Sequence, residues 1–185
     1  MTNIAVFASG NGSNFQVLAE RFPNNVKLVF SDYRNAYVLK RAEKLSVKFD
    51  SFELKEFENK VEYEKKIVEL LDENKIDLIV LAGYMKIIGS TLLTDYEGKI
   101  INIHPSYLPD FAGSPHAIED SHEAQKGLGV TVHVVDAGVD TGQIIAQETV
   151  KFDEDLAKYA ENVHDVEYKL YPKVIEKLIE ESEKK

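Results

Sequence analysis

The sequence predicts an α/β fold in which a mostly parallel, twisted sheet carries helices on both faces. Two observations lead to this prediction. Short apolar segments rich in β-branched residues alternate along the chain with longer amphipathic segments, and this alternation is typical of sheets covered by helices. The short apolar segments also lack the polar alternation of half-exposed strands, so we expect them to be buried on both faces.

The predicted strands are apolar and too short to be helices. The first, Asn3–Ala8, is followed by the glycine-rich sequence S-G-N-G at 9–12, which favours a tight turn directly after a buried strand. The remaining strands are predicted at Val26–Phe30, Val47–Phe52, Leu78–Leu81, Ile100–Ile103, Val130–Val135 and Ile144–Val150.

The predicted helices carry apolar residues at spacings of three and four. Ser13 is positioned to cap the first helix, and Asn59–Asn74 is the most regular one, with an apolar face and a charged face. Further helices are predicted at Tyr37–Leu45 and Pro115–Lys126. Pro172 interrupts the apolar spacing of the carboxyl-terminal helix, so we expect a kink or a break there.

The composition indicates one compact domain that spans residues 1–185. That length is usual for a single domain, and the hydrophobic content of 44% is too high for an intrinsically disordered chain. The 32 Asp and Glu residues exceed the 22 Lys and Arg residues, which gives a net charge of −10. Because nucleic-acid binding needs clustered cations that displace counterions, we expect no nucleic-acid partner.

The sequence also argues against membrane insertion and thiol chemistry. The longest apolar stretch, Ile76–Gly89, contains Asp77 and Lys86 and is too short to cross a bilayer. We find neither a polybasic segment for anionic membranes nor a signal-peptide pattern. The absence of cysteine excludes disulfides, thiolate catalysis and cysteine-ligated metals. We therefore expect a soluble, cytoplasmic protein without a membrane partner.

Four loops follow predicted strands, and ligands of open parallel sheets bind beyond the carboxyl ends of the strands. The first loop reads S-G-N-G-S-N at 9–14 and precedes a helix, where glycines and free N–H groups suit an anion. It lacks the third glycine of a dinucleotide site and the lysine of a P-loop. A phosphate cradle and a purely structural turn therefore both remain open. The other loops lie at 83–89, 102–113 and 136–142.

Two of these loops carry side chains suited to catalysis. Asn102 and His104 are two residues apart on one strand, so both project from the same sheet face, and Pro105 ends that strand. The sequence D-A-G-V-D-T-G at 136–142 suits either a tight turn or a mobile loop over a site. His133, on the strand before this loop, fits a site residue and a hydrogen-bonded core histidine equally well.

Four motifs stand in order over nearly the whole chain: G-N-G-S-N at 10–14, L-A-G-Y-M at 81–85, N-I-H-P-S-x-L-P at 102–109 and V-D-x-G-x-D-x-G at 135–142. In this order and spacing they resemble the phosphoribosylglycinamide formyltransferases of the folate-dependent formyltransferase family. The resemblance implies a single, Rossmann-like formyltransferase domain. It also implies transfer of the formyl group of 10-formyltetrahydrofolate, as co-substrate, to the amine of N1-(5-phospho-D-ribosyl)glycinamide (glycinamide ribonucleotide) in purine (IMP) biosynthesis.

The resemblance gives roles to residues at matching positions. The catalytic residues it implies are Asn102, His104 and Asp140. The ribonucleotide and its phosphate are expected at Asn11, Gly12, Ser13, Asn14 and Glu167. Folate is expected at Lys60, Met85, Lys86, Ile87, Ile88 and Asn102. Three positions depart from forms usual in the family, with Lys86 where arginine is frequent, Tyr107 for a leucine, and His164 where lysine can occur.

The chemistry of formyl transfer explains these residue types. Attack of the amine on the formyl carbon creates a developing oxyanion, to which the Asn102 amide and a protonated His104 can donate hydrogen bonds. Asp140 would stabilise the imidazolium and carry a proton from the amine to the folate nitrogen, directly or through water. Because His104 and Asp140 each close or follow a predicted strand, we expect them to meet at the same sheet edge.

The sequence leaves two other functions open. A sugar-nucleotide N-formyltransferase would keep Asn102, His104 and Asp140 but accept another amine. A non-catalytic phosphate-binding domain would explain the glycine-rich loop and leave those three residues without a role. No metal is expected, because the reaction does not call for one and His116, Asp120 and His122 lack a recognisable zinc pattern.

Overall fold

One twisted sheet of seven strands forms the centre of the molecule. The structure is a computed structural model that describes residues 1–185. The strands are β1 Ile4–Phe7, β2 Val26–Ser31, β3 Lys48–Ser51, β4 Leu78–Leu81, β5 Ile100–His104, β6 Gly129–Val134 and β7 Ile144–Thr149. Their spatial order is β3-β2-β1-β4-β5-β6-β7. All seven predicted strands occur, with ends displaced by no more than one residue.

The sheet is parallel over five strands and antiparallel at one end. β3 pairs with β2, β2 with β1, β1 with β4 and β4 with β5 in parallel registers. β6 runs antiparallel to both β5 and β7. The prediction of a mostly parallel α/β sheet is therefore confirmed.

Six α-helices cover the two faces of the sheet. They are α1 Ser13–Arg21, α2 Tyr37–Lys44, α3 Lys60–Glu73, α4 Ser90–Asp95, α5 Ala117–Ala124 and α6 Leu156–Glu183. In β1, Ile4 and Val6 belong to the core that includes α1, α2 and α6, whereas Ala5 and Phe7 belong to the core that includes α3 and α4. Burial on both faces explains why the sequences of the inner strands β1 and β4 are continuous apolar runs. The expectation of burial on both faces is wrong for β3 and β7, which lie at the two edges of the sheet and are largely exposed.

The sequence pattern does not predict two short elements. α4 has only six residues, and a 3-10 helix spans Leu54–Glu56. Elements of this length do not display the periodicity on which sequence prediction depends. The capping prediction for Ser13 is wrong, because Ser13 is the first residue of α1. Gly12 occupies the N-cap with a left-handed φ of 78°, and no side chain caps this helix.

The break predicted at Pro172 does not occur. α6 runs continuously through Pro172, although an internal proline removes one backbone hydrogen bond. Burial of Tyr171, Val174 and Ile175 against the sheet keeps both halves of the helix in place. Neither α6 nor any other helix of the structure has the length and apolar character needed to span a membrane.

Candidate active site

A cavity of about 600 Å³ opens above the carboxyl ends of β1, β4 and β5. The loops that follow these strands line it, together with the loop after β6 and two residues of α6. The four loops identified in the sequence therefore meet at one cavity, at the position where ligands of open parallel sheets bind. The sequence-predicted site residues on its wall are Asn11, Gly12, Ser13, Asn14, Met85, Lys86, Ile87, Ile88, Asn102, His104, Asp140 and Glu167.

Asp140 reaches His104 by a path that differs from the expected one. Because β6 is antiparallel to β5, Val134 pairs with Ile101 near the amino end of β5. The loop 136–142 therefore leaves the sheet at the end opposite to His104. It then folds back, so that the Asp140 Oδ2 lies 3.3 Å from the His104 Nδ1. The expectation that both come from the same sheet edge is wrong, although the two side chains do meet.

Local contacts fix the course of this loop. The Asp136 Oδ1 accepts hydrogen bonds from the Gly138 N–H at 2.9 Å and from the Thr141 hydroxyl at 2.7 Å. A Cβ on Gly142 would lie 1.7 Å from the Val134 carbonyl oxygen, so only glycine fits there. Asp140 itself has a φ of 56°, a left-handed conformation that Asp and Asn tolerate better than most residues.

Four donors surround the Asp140 carboxylate. Oδ2 accepts from the Gly113 N–H at 2.7 Å and faces the His104 Nδ1. Oδ1 lies 3.4 Å from the His133 Nε2 and 3.5 Å from the Asn102 Nδ2. Burial alone raises the pKa of Asp140, but the His133 hydrogen bond, the charge of His104 and the Gly113 N–H together lower this pKa below its ordinary value. The carboxylate therefore stays ionised.

His104 and His133 are buried and use both ring nitrogens. The His104 Nε2 lies 3.0 Å from the Phe111 carbonyl oxygen, and the His133 Nδ1 lies 2.9 Å from the Val134 carbonyl oxygen. Because a carbonyl oxygen only accepts, each of these nitrogens carries a hydrogen. Burial lowers the pKa of His133, but the hydrogen bonds to Asp140 and Val134 raise it above the usual value. Each ring thus has a carbonyl oxygen at one nitrogen and the Asp140 carboxylate at the other.

His133, whose place the sequence left undecided, lies on the cavity wall. It lies opposite Asn102 in the β5–β6 ladder, and its Nε2 is 3.3 Å from the Asn102 Nδ2. In the sequence, His133 alternates with Thr131, which places both side chains on one face of their strand. This alternation does not show which residues of the neighbouring strand lie beside His133, because only the register of the two strands defines that.

The loop before α1 lies at one end of the cavity and has the backbone donors that suit an anion. The N–H groups of Ser13 and Asn14 lie in the first turn of α1 and have no intrahelical acceptor, and the helix dipole favours a negative charge there. A Cβ on Gly12 would lie 2.4 Å from the Val38 Cγ2. Arg41 fixes the loop from outside by donating to the Asn11 carbonyl at 2.8 Å and to the Asn11 Oδ1 at 2.7 Å.

Glu167 of α6 borders this loop. Its side chain is buried, and its Oε2 accepts from the Asn14 Nδ2 at 3.3 Å and lies 3.0 Å from the His164 Nδ1. The hydrogen bond to Glu167 raises the pKa of His164 above its ordinary value, although partial burial opposes the change. The structure therefore places a half-exposed imidazole beside the loop that precedes α1.

The opposite wall is the 85–88 segment, which has no regular secondary structure. The N–H groups of Lys86, Ile87 and Ile88 make no hydrogen bond within the protein. Met85 and Ile87 are exposed, whereas Ile88 is anchored in the core. Lys60 lies behind this segment and not on the cavity wall, with its Nζ donating to the Ile87 carbonyl at 2.6 Å. No group of three or more His, Asp and Glu side chains is arranged to hold a metal ion.

The hydrogen-bond donors of Asn102, His104 and His133 lie together in the cavity, and such preorganised donors can stabilise a developing oxyanion. The fold and the site are thus those expected of an α/β enzyme. The chain belongs to the formyl transferase family, whose model matches residues 2–175. The family and the Rossmann-like fold that the motifs implied are confirmed.

Individual relatives cover almost the entire chain. It is 44% identical to the phosphoribosylglycinamide formyltransferase of Bacillus subtilis, over 97% of this chain and 95% of that protein. It is 37% identical to the Haemophilus influenzae protein of the same name, over 95% of this chain and 86% of the other. The crystal structure of phosphoribosylglycinamide formyltransferase from Streptococcus pneumoniae superposes with a TM-score of 0.91 at 57% identity, over 97% of this chain and 99% of that one.

Proposed function

We propose that this enzyme transfers the formyl group of 10-formyltetrahydrofolate to the primary amine of glycinamide ribonucleotide, in purine (IMP) biosynthesis. One observation carries the proposal. Asn102, His104 and Asp140 converge inside a cavity whose two ends are an anion-binding loop and a segment with free backbone N–H groups. A substrate with a phosphate at one end and a reacting amine at the other fits the part of the cavity between the loop before α1 and Asp140. A flat heterocycle fits the part beside the 85–88 segment. The named relatives support the same activity.

We propose that the phosphate of the ribonucleotide binds at the first turn of α1, through the backbone of Gly12, Ser13 and Asn14. Glu167 accepts from the ribose hydroxyl groups, because its carboxylate faces the same end of the cavity. The pterin ring of the folate hydrogen-bonds to the backbone of the 85–88 segment. Residues 1–185 act as a single formyltransferase domain.

The reaction forms one bond and breaks another. The amine lone pair attacks the formyl carbon, and the carbonyl electron pair moves onto oxygen. Asn102, through its amide NH₂, and the His104 imidazolium donate hydrogen bonds to this oxyanion. His104 does so only after its Nε2–H leaves the Phe111 carbonyl or its Nδ1–H leaves Asp140. When the carbonyl reforms, the bond from carbon to N10 of the folate breaks, and the proton lost by the amine ends on N10.

Asp140 performs the electrostatic part of this mechanism. Its pKa lies below the ordinary value and its oxygens face several donors, so direct protonation of the carboxylate is unfavourable. We therefore propose that a water molecule held by Asp140 carries the proton from the amine to N10. Both substrates in this reaction are small molecules. The reaction requires no metal ion, nucleic acid or membrane, and we propose that the enzyme acts in the cytoplasm.

The test is a comparison of amine substrates. The purified chain is incubated with 10-formyltetrahydrofolate and either glycinamide ribonucleotide or an amino-sugar nucleotide, and the release of tetrahydrofolate is followed by absorbance. We expect turnover with glycinamide ribonucleotide alone, and its loss in His104→Ala. Turnover with the amino-sugar nucleotide alone would select a sugar-nucleotide N-formyltransferase. Binding of the ribonucleotide without any turnover would select a non-catalytic domain.

A further inference from the structure

Side chains from other elements hold both ends of the 85–88 segment. At its start, the Met85 N–H donates to the Ser9 hydroxyl at 2.8 Å, and this hydroxyl donates to the Asp32 Oδ1 at 2.5 Å. Directly after its end, Glu64 of α3 accepts from the Gly89 N–H at 2.7 Å. The segment between these two anchors has no regular structure of its own, so its position depends on them.

Glu64 is an unusual side chain in this molecule. It is only 3% exposed, and no Lys, Arg or His lies within ion-pair distance of it. Its partners are backbone groups, the Gly89 N–H and, at 3.4 Å, the Leu92 N–H. Burial of a carboxylate without a cation is unfavourable unless N–H groups compensate for the lost water. The Gly89 and Leu92 N–H groups, at the amino end of α4, provide that compensation here.

The Gly89 backbone lies directly against the Glu64 carboxylate. A Cβ on Gly89 would lie 2.5 Å from the Glu64 Oε1, so the backbone approaches the carboxylate as closely as glycine allows. One helical turn earlier, Lys60 holds the Ile87 carbonyl. α3 thus fixes two backbone groups, one within and one directly after the residues whose N–H groups are free to meet a ligand.

We propose that Glu64 is a positioning residue for the folate, and this inference rests on the proposed function. By fixing the Gly89 N–H, Glu64 sets the direction of the preceding N–H groups of Lys86, Ile87 and Ile88. Ser9 performs the same task at the other end of the segment. Neither residue needs to touch the substrate, and Glu64 is not on the cavity wall. Loss of Glu64 therefore weakens folate binding and leaves ribonucleotide binding unchanged.

The test uses a graded series at Glu64. Glu64→Met removes both acceptor oxygens at similar side-chain volume. Glu64→Gln keeps one acceptor. Glu62→Met is the matched control, because Glu62 lies on the exposed face of the same helix and pairs only with Lys65. Dissociation constants for tetrahydrofolate and for glycinamide ribonucleotide are measured separately by calorimetry.

We expect the dissociation constant for tetrahydrofolate to rise about tenfold in Glu64→Met, which corresponds to one lost charge-assisted hydrogen bond. Glu64→Gln gives a smaller rise, and Glu62→Met none. The constant for the ribonucleotide stays within about twofold in all variants. Hydrogen exchange speeds up at residues 86–89 while the amides of α3 remain protected, a pattern that global destabilisation does not produce.

The possible outcomes separate this inference from the proposed function. Unchanged tetrahydrofolate binding in Glu64→Met and Glu64→Gln overturns the positioning role of Glu64. Equal losses for both ligands also overturn it, because they indicate a structural role alone. If Glu64→Met does not fold, the Gln variant and Ser9→Ala decide by the same criterion. Absence of tetrahydrofolate binding to the unaltered chain overturns the proposed function and this inference with it.

Discussion

At the scale of single residues, Asp140 links three side-chain donors from two neighbouring strands. His104 and Asn102 lie on β5, His133 lies on β6, and all three face one carboxylate. Because burial weakens solvent screening, such a cluster responds as a unit when one member is removed. The roles of Asn102, His104 and Asp140 in catalysis remain predictions that mutation can test.

We predict that Asp140 and His104 act together. Asp140→Asn keeps the shape of the side chain but does not compensate an imidazolium, so we expect kcat to fall by about two to four orders of magnitude. His104→Ala has a similar effect. The double variant is little slower than either single one, because residues that act as a unit are not additive. Steady-state kinetics of all four proteins measure this, and losses that multiply would show that the two residues act independently.

His164 gives the binding of the ribonucleotide a predicted pH dependence. Its pKa is raised by Glu167, with a further contribution from Asp165. The imidazolium is therefore fully present below about pH 6.5, which is the pKa of free histidine, and it is lost as the pH rises through the raised pKa of His164. The stability that the His164–Glu167 pair contributes is lost in the same direction.

We therefore expect the KM for glycinamide ribonucleotide to increase as the pH rises through the raised pKa of His164, where a phosphate, with a second pKa of about 6, is mostly dianionic. His164→Lys removes this increase, since the ammonium keeps its charge, and His164→Gln shows a high KM at every pH. The KM for the folate serves as the internal control. An identical pH profile in the parent and in His164→Lys would show that His164 does not act on the phosphate.

At the scale of elements, the turn between β1 and α1 depends on how closely α1 approaches α2. Gly12 has a left-handed φ of 78°, and its Cβ position overlaps Val38. Gly10 in the same loop has no atom within 4 Å of its Cβ position. Gly12 is thus required by packing, whatever the loop binds.

We predict that Gly12→Ala lowers the free energy of unfolding by roughly 2 kcal/mol or more, from left-handed strain together with the overlap with Val38. Gly10→Ala is the matched control and lowers it by less than about 1 kcal/mol. Urea denaturation measures both. Equal effects of the two substitutions would mean that the loop relaxes around an added methyl group.

At the scale of the whole molecule, α6 is joined to the centre of the sheet below the cavity. The buried Tyr171 hydroxyl lies 2.6 Å from the Leu81 carbonyl oxygen and 3.2 Å from the Ile101 carbonyl oxygen, and these two acceptors share its single hydrogen. The Leu81 carbonyl directly precedes the loop after β4, and the Ile101 carbonyl directly precedes Asn102. Through this contact, the helix that carries Glu167 is tied to the strands that carry the other site residues.

We predict that Tyr171→Phe lowers the free energy of unfolding by about 1–2 kcal/mol, because two buried carbonyl groups lose a donor. The exposed Tyr33, whose change to Phe removes no contact of this kind, is the control. Urea denaturation of both variants measures the difference. A Tyr171→Phe protein as stable as the Tyr33→Phe protein would show that the carbonyl groups find other partners.

The sequence by itself determined the strands, the longer helices and the residues that carry the motifs. These features depend on local periodicity and on turn chemistry, which each segment displays alone. The uninterrupted apolar residues of β1 and β4 and the regular spacing in α3 are of this kind. The motifs also identified the formyl transferase family, because residues of fixed type recur there at fixed spacing.

The tertiary structure alone decided the antiparallel direction of β6, the return path of Asp140, the place of His133 and the burial of Glu64. Each of these depends on which segments distant in sequence come to lie side by side. His133 faces Asn102 only because of the β5–β6 register, and Glu64 meets Gly89 only because α3 packs beside α4. Burial also kept α6 continuous across Pro172, where the local preference favours a break. Packing energies summed over a whole element exceed such local preferences, and they become known only when the chain is folded.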